Sequence, residues 1–303
     1  MRIAHLIMAH REPAQLDRLL GALAHRQANC YIHLDQKVNP SAYAFLRERP
    51  RVRFVARPVA VNWGGYSIVE ALLTSLREIL AHPAKYEFIN VLSGQDYPLR
   101  SAEQVHTFLE ENRGLSFVEA EPMGTPWWEH NRGRLERYHL TDWRLPGRYM
   151  VQRLLNTVLP QRRFPLPGYT VHGGNMSGWF TLAREAAEYL LAFLDQHPVL
   201  ARFGRLSWAC DEFLVMTILY NSPLRDSLRN DSLRYIDWRD GGASPRALTS
   251  ADLPAVLASG KLWARKFDLG TDTAVLDELD RLHQPRRQAA LVWQATTPSA
   301  VPA

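Results

Sequence analysis

The chain has 303 residues, 46% of them hydrophobic and 22% charged, so it can fill a core, and general disorder is excluded. A formal charge of +5 and a pI near 9.3 suit an anionic small molecule or an acidic membrane face and do not by themselves indicate nucleic acid. Two cysteines, Cys30 and Cys210, exclude both a disulfide framework and a cysteine-based zinc cluster.

The chain opens on MRIAHLIMAHREP, an apolar run of about eight residues broken by His5, too short for a signal-peptide core or a membrane span. Residues 2–9 read as a strand. Residues 13–25 put Leu16, Leu19, Leu20 and Leu23 on one stripe and read as a helix. A strand over 30–34 stops at Asp35, residues 41–49 are helical, and 52–55 form a short strand. After Trp63-Gly64-Gly65, residues 67–80 space Val69, Leu72, Leu73, Leu76 and Leu80 as a helix does. A buried strand over 86–92, a helix over 102–111 and a strand over 115–119 follow. This β-α-β-α order predicts a mostly parallel sheet with helices on both faces.

Residues 124–167 have little periodicity and many Trp, Arg, Pro and Tyr, with a helix expected around 149–157. They read as a long excursion beside a site. Order returns with a strand over 177–182, helices over 184–196 and 210–220, and strands over 233–237 and 262–264. No repeat or linker divides the chain, so one α/β domain is expected over 1–283. Residues 284–303 read as a frayed tail. Within the tail, Arg286, Arg287 and Trp293 offer a peripheral membrane foothold.

In open parallel sheets ligands bind beyond the carboxyl ends of the strands. His10-Arg11, Asp35-Gln36-Lys37, Ser93-Gly94-Gln95-Asp96 and Glu119-Ala120-Glu121 all fall there. An Asp at a strand end also caps turns, so Asp35 and Asp96 carry weight mainly as members of a set. The glycine fingerprints of dinucleotide and P-loop sites are missing, as are the H-E-x-x-H and G-x-S-x-G strings. The eleven histidines are scattered and read mostly as surface or capping residues. Arg265-Lys266 follows a strand, where two cations can neutralise a diphosphate. Asp211-Glu212 opens a helix, where carboxylates suit the dipole and a general base can be held.

The strings MAHREPAQLDRLLGAL, IHLDQKV, VNWGGYSIVEALL, INVLSGQDYPLRS, GWFTLAREAAEYL, DEFLVMTIL, YIDW with GGASP, and LWARKFD occur in this order. Together they resemble the core-2/I-branching enzymes, the family 14 glycosyltransferases. That family holds β-1,6-N-acetylglucosaminyltransferases and peptide O-xylosyltransferases, and the resemblance covers about residues 1–270. It implies a GT-A-like fold and an inverting, metal-independent transfer from a UDP-sugar. No Asp-x-Asp of the kind that holds a metal in such folds occurs in the chain. Glu119-Ala120-Glu121 is the nearest substitute.

By resemblance, Glu212 is the catalytic base, and Arg265 and Lys266 hold the diphosphate. His10, Arg11 and Asp35 lie at the nucleotide, and Trp63-Gly64-Gly65 turns beside the donor. Asp96 shapes the sugar pocket, Trp179 floors the sugar, and Ser244 and Pro245 form a looser donor-side match. Asp211, Glu119 and Glu121 are expected to face the sugar or acceptor. N-acetylglucosamine is the expected sugar, with xylose the alternative. A glycan, a lipid-linked precursor or a protein is the expected acceptor, chosen by residues 124–167. No cofactor, metal or nucleic-acid partner is expected. A non-catalytic sugar-nucleotide binder is the second class, disfavoured because it would not need Glu212, Arg265 and Lys266 together. The eukaryotic members carry disulfides and an anchor that this chain does not show. The expectation is therefore a bacterial-type, cytoplasmic member with at most peripheral contact at the inner face of the plasma membrane.

Overall fold

The computed structural model describes residues 1–242 and 244–283. The expected tail over 284–303 and its foothold at Arg286, Arg287 and Trp293 lie outside the described residues.

The first half alternates as its apolar spacing requires. In chain order come β1 (Ile3–Ala9), α1 (Pro13–Ala22), β2 (Ala28–Leu34), a 3-10 segment (Pro40–Glu48), β3 (Val52–Phe54), α2 (Ser67–Ala81), β4 (Phe88–Ser93), β5 (Tyr97–Pro98), α3 (Ala102–Glu111) and β6 (Ser116–Val118). The middle holds β7 (Glu121–Pro122), α4 (Pro126–Asn131), α5 (Gly133–Glu136), α6 (Arg148–Val158) and β8 (His172–Gly173). The rest is β9 (Thr181–Ala183), α7 (Arg184–Gln196), α8 (Pro198–Gly204), α9 (Leu214–Tyr220), β10 (Leu228–Asn230), β11 (Arg234–Ile236), α10 (Leu253–Ala258), β12 (Trp263–Arg265) and α11 (Ala274–His283).

Among the described residues the main sheet has seven strands in the order β10-β6-β9-β4-β1-β2-β3. All neighbours are parallel except β9, which runs against both β4 and β6. Strand alternation sends Ala4, Leu6, Ile89 and Val91 to one face, where α2, α7 and α9 pack. Ile3, Ile7, Phe88 and Leu92 go to the other, against α1, α3 and α11. This is the mostly parallel sheet with helices on both faces that the sequence predicts of a GT-A-like fold.

Three elements differ from the sequence-based reading, and each difference shapes the cavity. The strand expected over 177–182 pairs only at Thr181–Ala183. The residues before it turn, with Ser177 N donating to Gly174 O at 3.0 Å and Trp179 N to Met176 O at 3.3 Å. The helix expected over 210–220 is broken: Cys210–Glu212 is one 3-10 turn, Phe213 leaves helical geometry at φ −142° and ψ −30°, and α9 starts at Leu214. The late strands β11 and β12 join not the main sheet but a small one with β5, in the order β11-β12-β5.

Candidate active site

Beyond the carboxyl ends of β1, β2 and β4 lies a cavity of about 500 Å³, within the usual range for a small-molecule site. β1 delivers His10 and Arg11, β2 delivers Asp35 and Lys37, and β4 delivers Ser93, Gly94 and Gln95. Because β9 is antiparallel to β4, the residues ahead of it (Asn175, Gly178, Trp179 and Phe180) arrive at the same end. The small sheet supplies the remaining wall. Pairing of Ala264 with Tyr97 fixes β12 so that Arg265 and Lys266 leave it into the cavity. Buried Gln15 of α1 clamps the next turn, donating to Phe267 O at 2.9 Å and accepting from Leu269 N at 3.1 Å.

The cavity is cationic on one part of its wall. Arg11, Lys37, Arg265 and Lys266 all line it. Burial, and then the charges of Arg11 and Arg265, push the Lys266 ammonium below its ordinary value. Burial, and then Arg11, push His10 down as well, although Asp35 opposes them. Cations that destabilise one another form a site for an anion, since a bound diphosphate would relieve the repulsion. The Arg265 guanidinium lies 4.1 Å from the centre of the Trp179 ring, with Nε 3.3 Å from Asp96 Oδ1. Lys266 Nζ donates to Ser244 Oγ at 2.9 Å. The loop that carries Ser244 and Pro245 is tied at its base by Arg246, which bonds Asp237 Oδ2 at 2.7 Å and Asp252 Oδ1 at 2.5 Å. That pairing holds the Asp252 carboxyl down to about 2.

The carboxylates come from the turn ahead of α9. Ala209 adopts a left-handed φ of 48°, a conformation that costs a non-glycine residue roughly 1–2 kcal/mol. Its N–H donates to Gly64 O at 2.7 Å, which stitches the turn to the Trp63-Gly64-Gly65 loop. A Cβ on Gly64, at φ 72°, would lie 2.5 Å from Trp208 Nε1. The break at Phe213 leaves Glu212 O accepting from Gly174 N at 3.0 Å. Gly173 passes so close beneath that a Cβ would sit 2.6 Å from that carbonyl.

Both carboxylates face the cavity. Glu212 forms an ion pair with Arg134, whose guanidinium stacks 4.7 Å from the centre of the Trp208 ring. Burial lowers Arg134 to about 10. Asp211 keeps some solvent contact, but its Oδ1 is sealed from water and has no hydrogen-bond partner. Burial raises its carboxyl to about 6, against the opposing pull of a backbone N–H, Arg134 and Arg265.

Of the residues predicted from sequence, His10, Arg11, Asp35, Trp63, Gly64, Trp179, Asp211, Glu212, Ser244, Pro245, Arg265 and Lys266 line this one cavity. Gly65, Asp96, Glu119 and Glu121 do not. Gly65 lies against Asp142, whose carboxylate takes hydrogen bonds from Asn62, Ser67 N and Ser67 Oγ. Asp96 is buried behind the wall and accepts from Ser93 N and Oγ. Glu119 Oε2 accepts from Ser232 Oγ at 2.8 Å, capping the turn into β11. Glu121 lies exposed on the short β7–β8 ladder. Among the described residues no three His, Cys, Asp or Glu cluster as metal ligands.

Sequence reasoning missed Arg134, His33 and Asn175. Asn175 Oδ1 accepts from Trp127 Nε1 at 2.9 Å, and His33 Nε2 accepts from Val59 N at 2.9 Å. Gln95, read from sequence only as part of the Ser93-Gly94-Gln95-Asp96 turn at a strand end, lines the cavity. Arg134 lies in the aperiodic 124–167 stretch, where nothing in the sequence sets its direction.

Comparison with known proteins supplies the class, that of the core-2/I-branching enzymes. Residues 3–256 match the family described as Branch: Core-2/I-Branching enzyme, and the chain belongs to that family. Xylosyltransferase 2 of Canis lupus familiaris is 29% identical over 306 residues, 92% of this chain and 33% of that protein. Xylosyltransferase 2 of Homo sapiens is 28% identical, and xylosyltransferase 1 of Canis lupus familiaris 27%, each over 92% of this chain. The chain thus spans about a third of the length of the curated relatives it matches. Among solved structures, mouse xyloside xylosyltransferase 1 in its apo form superposes at a TM-score of 0.41 and 15% identity, covering 86% of this chain and 97% of that one. The galactosyltransferase LgtC superposes at 0.40 and 8%, covering 95% and 99%.

Proposed function

We propose that this chain moves a sugar from a UDP-sugar to a hydroxyl of a glycan or protein acceptor, with inversion and without a metal ion. The observation that carries the reading is one cavity shared by a cationic wall (Arg11, Lys37, Arg265 and Lys266), an aromatic floor (Trp179) and two carboxylates (Asp211 and Glu212). Glu212 takes the proton of the acceptor hydroxyl. The oxygen forms its bond to the anomeric carbon on the face opposite the leaving group. The bond from that carbon to the diphosphate breaks, and its electron pair stays with UDP. A donor with an α link gives a β-linked product through an oxocarbenium-like state. Arg265 and Lys266, with Arg11 beside them, take up the charge that develops on UDP. In the resting site Arg134 occupies the Glu212 carboxylate, so the acceptor hydroxyl must compete with it.

The relatives matched over 92% of the chain are xylosyltransferases. That favours xylose over the N-acetylglucosamine first expected as the sugar to test. The test is UDP release measured across a panel of UDP-sugars, with and without EDTA. Turnover with one donor, unchanged by EDTA, is the expected result. A requirement for Mn²⁺ would overturn the metal-independent reading, and UDP binding without release on any donor would favour a sugar-nucleotide binder.

A further inference from the structure

None of the described helices is long and apolar enough to cross a membrane. One of them is nevertheless built with its polarity reversed. At about 100° per residue, α6 turns Arg148, Gln152, Leu155 and Asn156 toward the protein and Met150, Val151, Leu154 and Val158 away from it. The inward residues make the polar contacts. Gln152 Oε1 accepts from Leu140 N at 2.9 Å, Asn156 Oδ1 accepts from Tyr138 N at 2.8 Å, and Asn156 Nδ2 donates to Tyr138 O at 2.8 Å. Arg148 donates to Thr141 O and Trp143 O, both at 3.0 Å.

The outward residues meet solvent: Met150 is 79% exposed, Val158 70% and Tyr149 69%. Trp143, Leu145, Leu154 and Leu159 extend the same patch. A water-facing helix normally shows the opposite arrangement, and a contiguous apolar patch marks a contact surface.

Charge identifies the contact. No Asp or Glu occurs between Asp142 and Glu185. In that stretch Arg144, Arg153 and Arg163 are exposed beside the apolar face, and among the described residues none of them pairs with a carboxylate. Apolar side chains facing outward, an aromatic pair at the near end and unneutralised arginines around them match an anionic lipid surface, which offers hydrocarbon at depth and negative charge at the rim. We infer that α6, with Trp143 and Leu145 ahead of it, is the docking surface of this protein on an anionic bilayer. The patch begins one residue after Asp142, which holds the Trp63-Gly64-Gly65 loop at the cavity. The inference stands apart from the identity of the transferred sugar.

The test is co-sedimentation of the full chain with vesicles of phosphatidylcholine, with and without phosphatidylserine. Binding is expected only with phosphatidylserine, and it should weaken as salt is raised. The double variant Met150→Asp/Leu154→Asp should bind at least about tenfold less, because it removes the apolar insertion. Its circular dichroism and UDP affinity should match the parent, since neither residue touches the cavity. The variant R144A/R153A/R163A should lose on the order of a hundredfold on the anionic vesicles. No binding of the parent chain to anionic vesicles would overturn the inference. So would equal binding by the Asp variant, or loss of binding only in an R286A/R287A/W293A variant. A dimer in sedimentation velocity without lipid that M150D/L154D converts to monomer would also overturn it, assigning the face to a second copy of the chain.

Discussion

Asp211→Asn is the substitution whose effect the site geometry defines most closely. The side chain keeps its size, and only the ability to ionise is lost. In the folded protein burial raises the carboxyl from about 3.8 to about 6, so the fold favours the protonated form. The sign follows. Stability tied to this group is intact below its unfolded value, and it falls as pH rises through about 6, because the fold must then hold a charge whose Oδ1 has no partner. The full shift corresponds to at most about 3 kcal/mol at pH 7 and under about 1 kcal/mol at pH 4. Residual solvent contact of the residue reduces the expected value at pH 7 to about 1–2 kcal/mol. Urea unfolding of parent and variant at both pH values measures the difference. The variant should be the more stable at pH 7 and nearly equal at pH 4. A variant less stable at pH 7, or a gain that is the same at both pH values, would refute the desolvation argument and show that the Asp211 carboxylate has a charge partner.

Glu212→Gln should lower the transfer rate by about 10²–10⁴ while leaving UDP affinity nearly unchanged, and UDP-release kinetics beside a calorimetric titration separates the two. Full activity in that variant would remove Glu212 as the base. Lys266→Ala should weaken UDP binding by about 10–100-fold, the loss of one charge-assisted hydrogen bond; calorimetry that finds no change would count against the cationic wall as the diphosphate site. Gly173→Ala should cost about 1–3 kcal/mol of stability and more activity than its stability loss explains. Its Cβ meets the Glu212 carbonyl, Phe213 and Trp128, so it must displace the turn that carries the base. Thermal melting and turnover measured together check this.

What the sequence made legible depended on whether a residue's surroundings leave a local trace. Leu16, Leu19 and Leu20 of α1 and Val69, Leu72 and Leu76 of α2 pack on opposite faces of the sheet, and that burial alone sets their spacing. Helix positions could therefore be read from periodicity. Strand ends were legible for the same reason, and with them most of the cavity wall. Residues whose role depends on a distant partner left no such trace. Nothing in the E-A-E string marks that Glu119 caps Ser232, more than a hundred positions away. The break at Phe213 is imposed by Gly174, which takes the Glu212 carbonyl and ends the 3-10 turn that the apolar run would otherwise continue as helix. Arg134 is the clearest case. It comes from the stretch without periodicity, yet it is the group that pairs Glu212 and stacks on Trp208. The lack of pattern over 124–167 has a physical cause. Part of that stretch reaches the site's residues through single side chains, as Arg134 does Glu212 and Trp127 does Asn175, rather than through a stripe, and part of it, α6, turns its apolar face outward, so neither leaves the signature of a helix packed on a core.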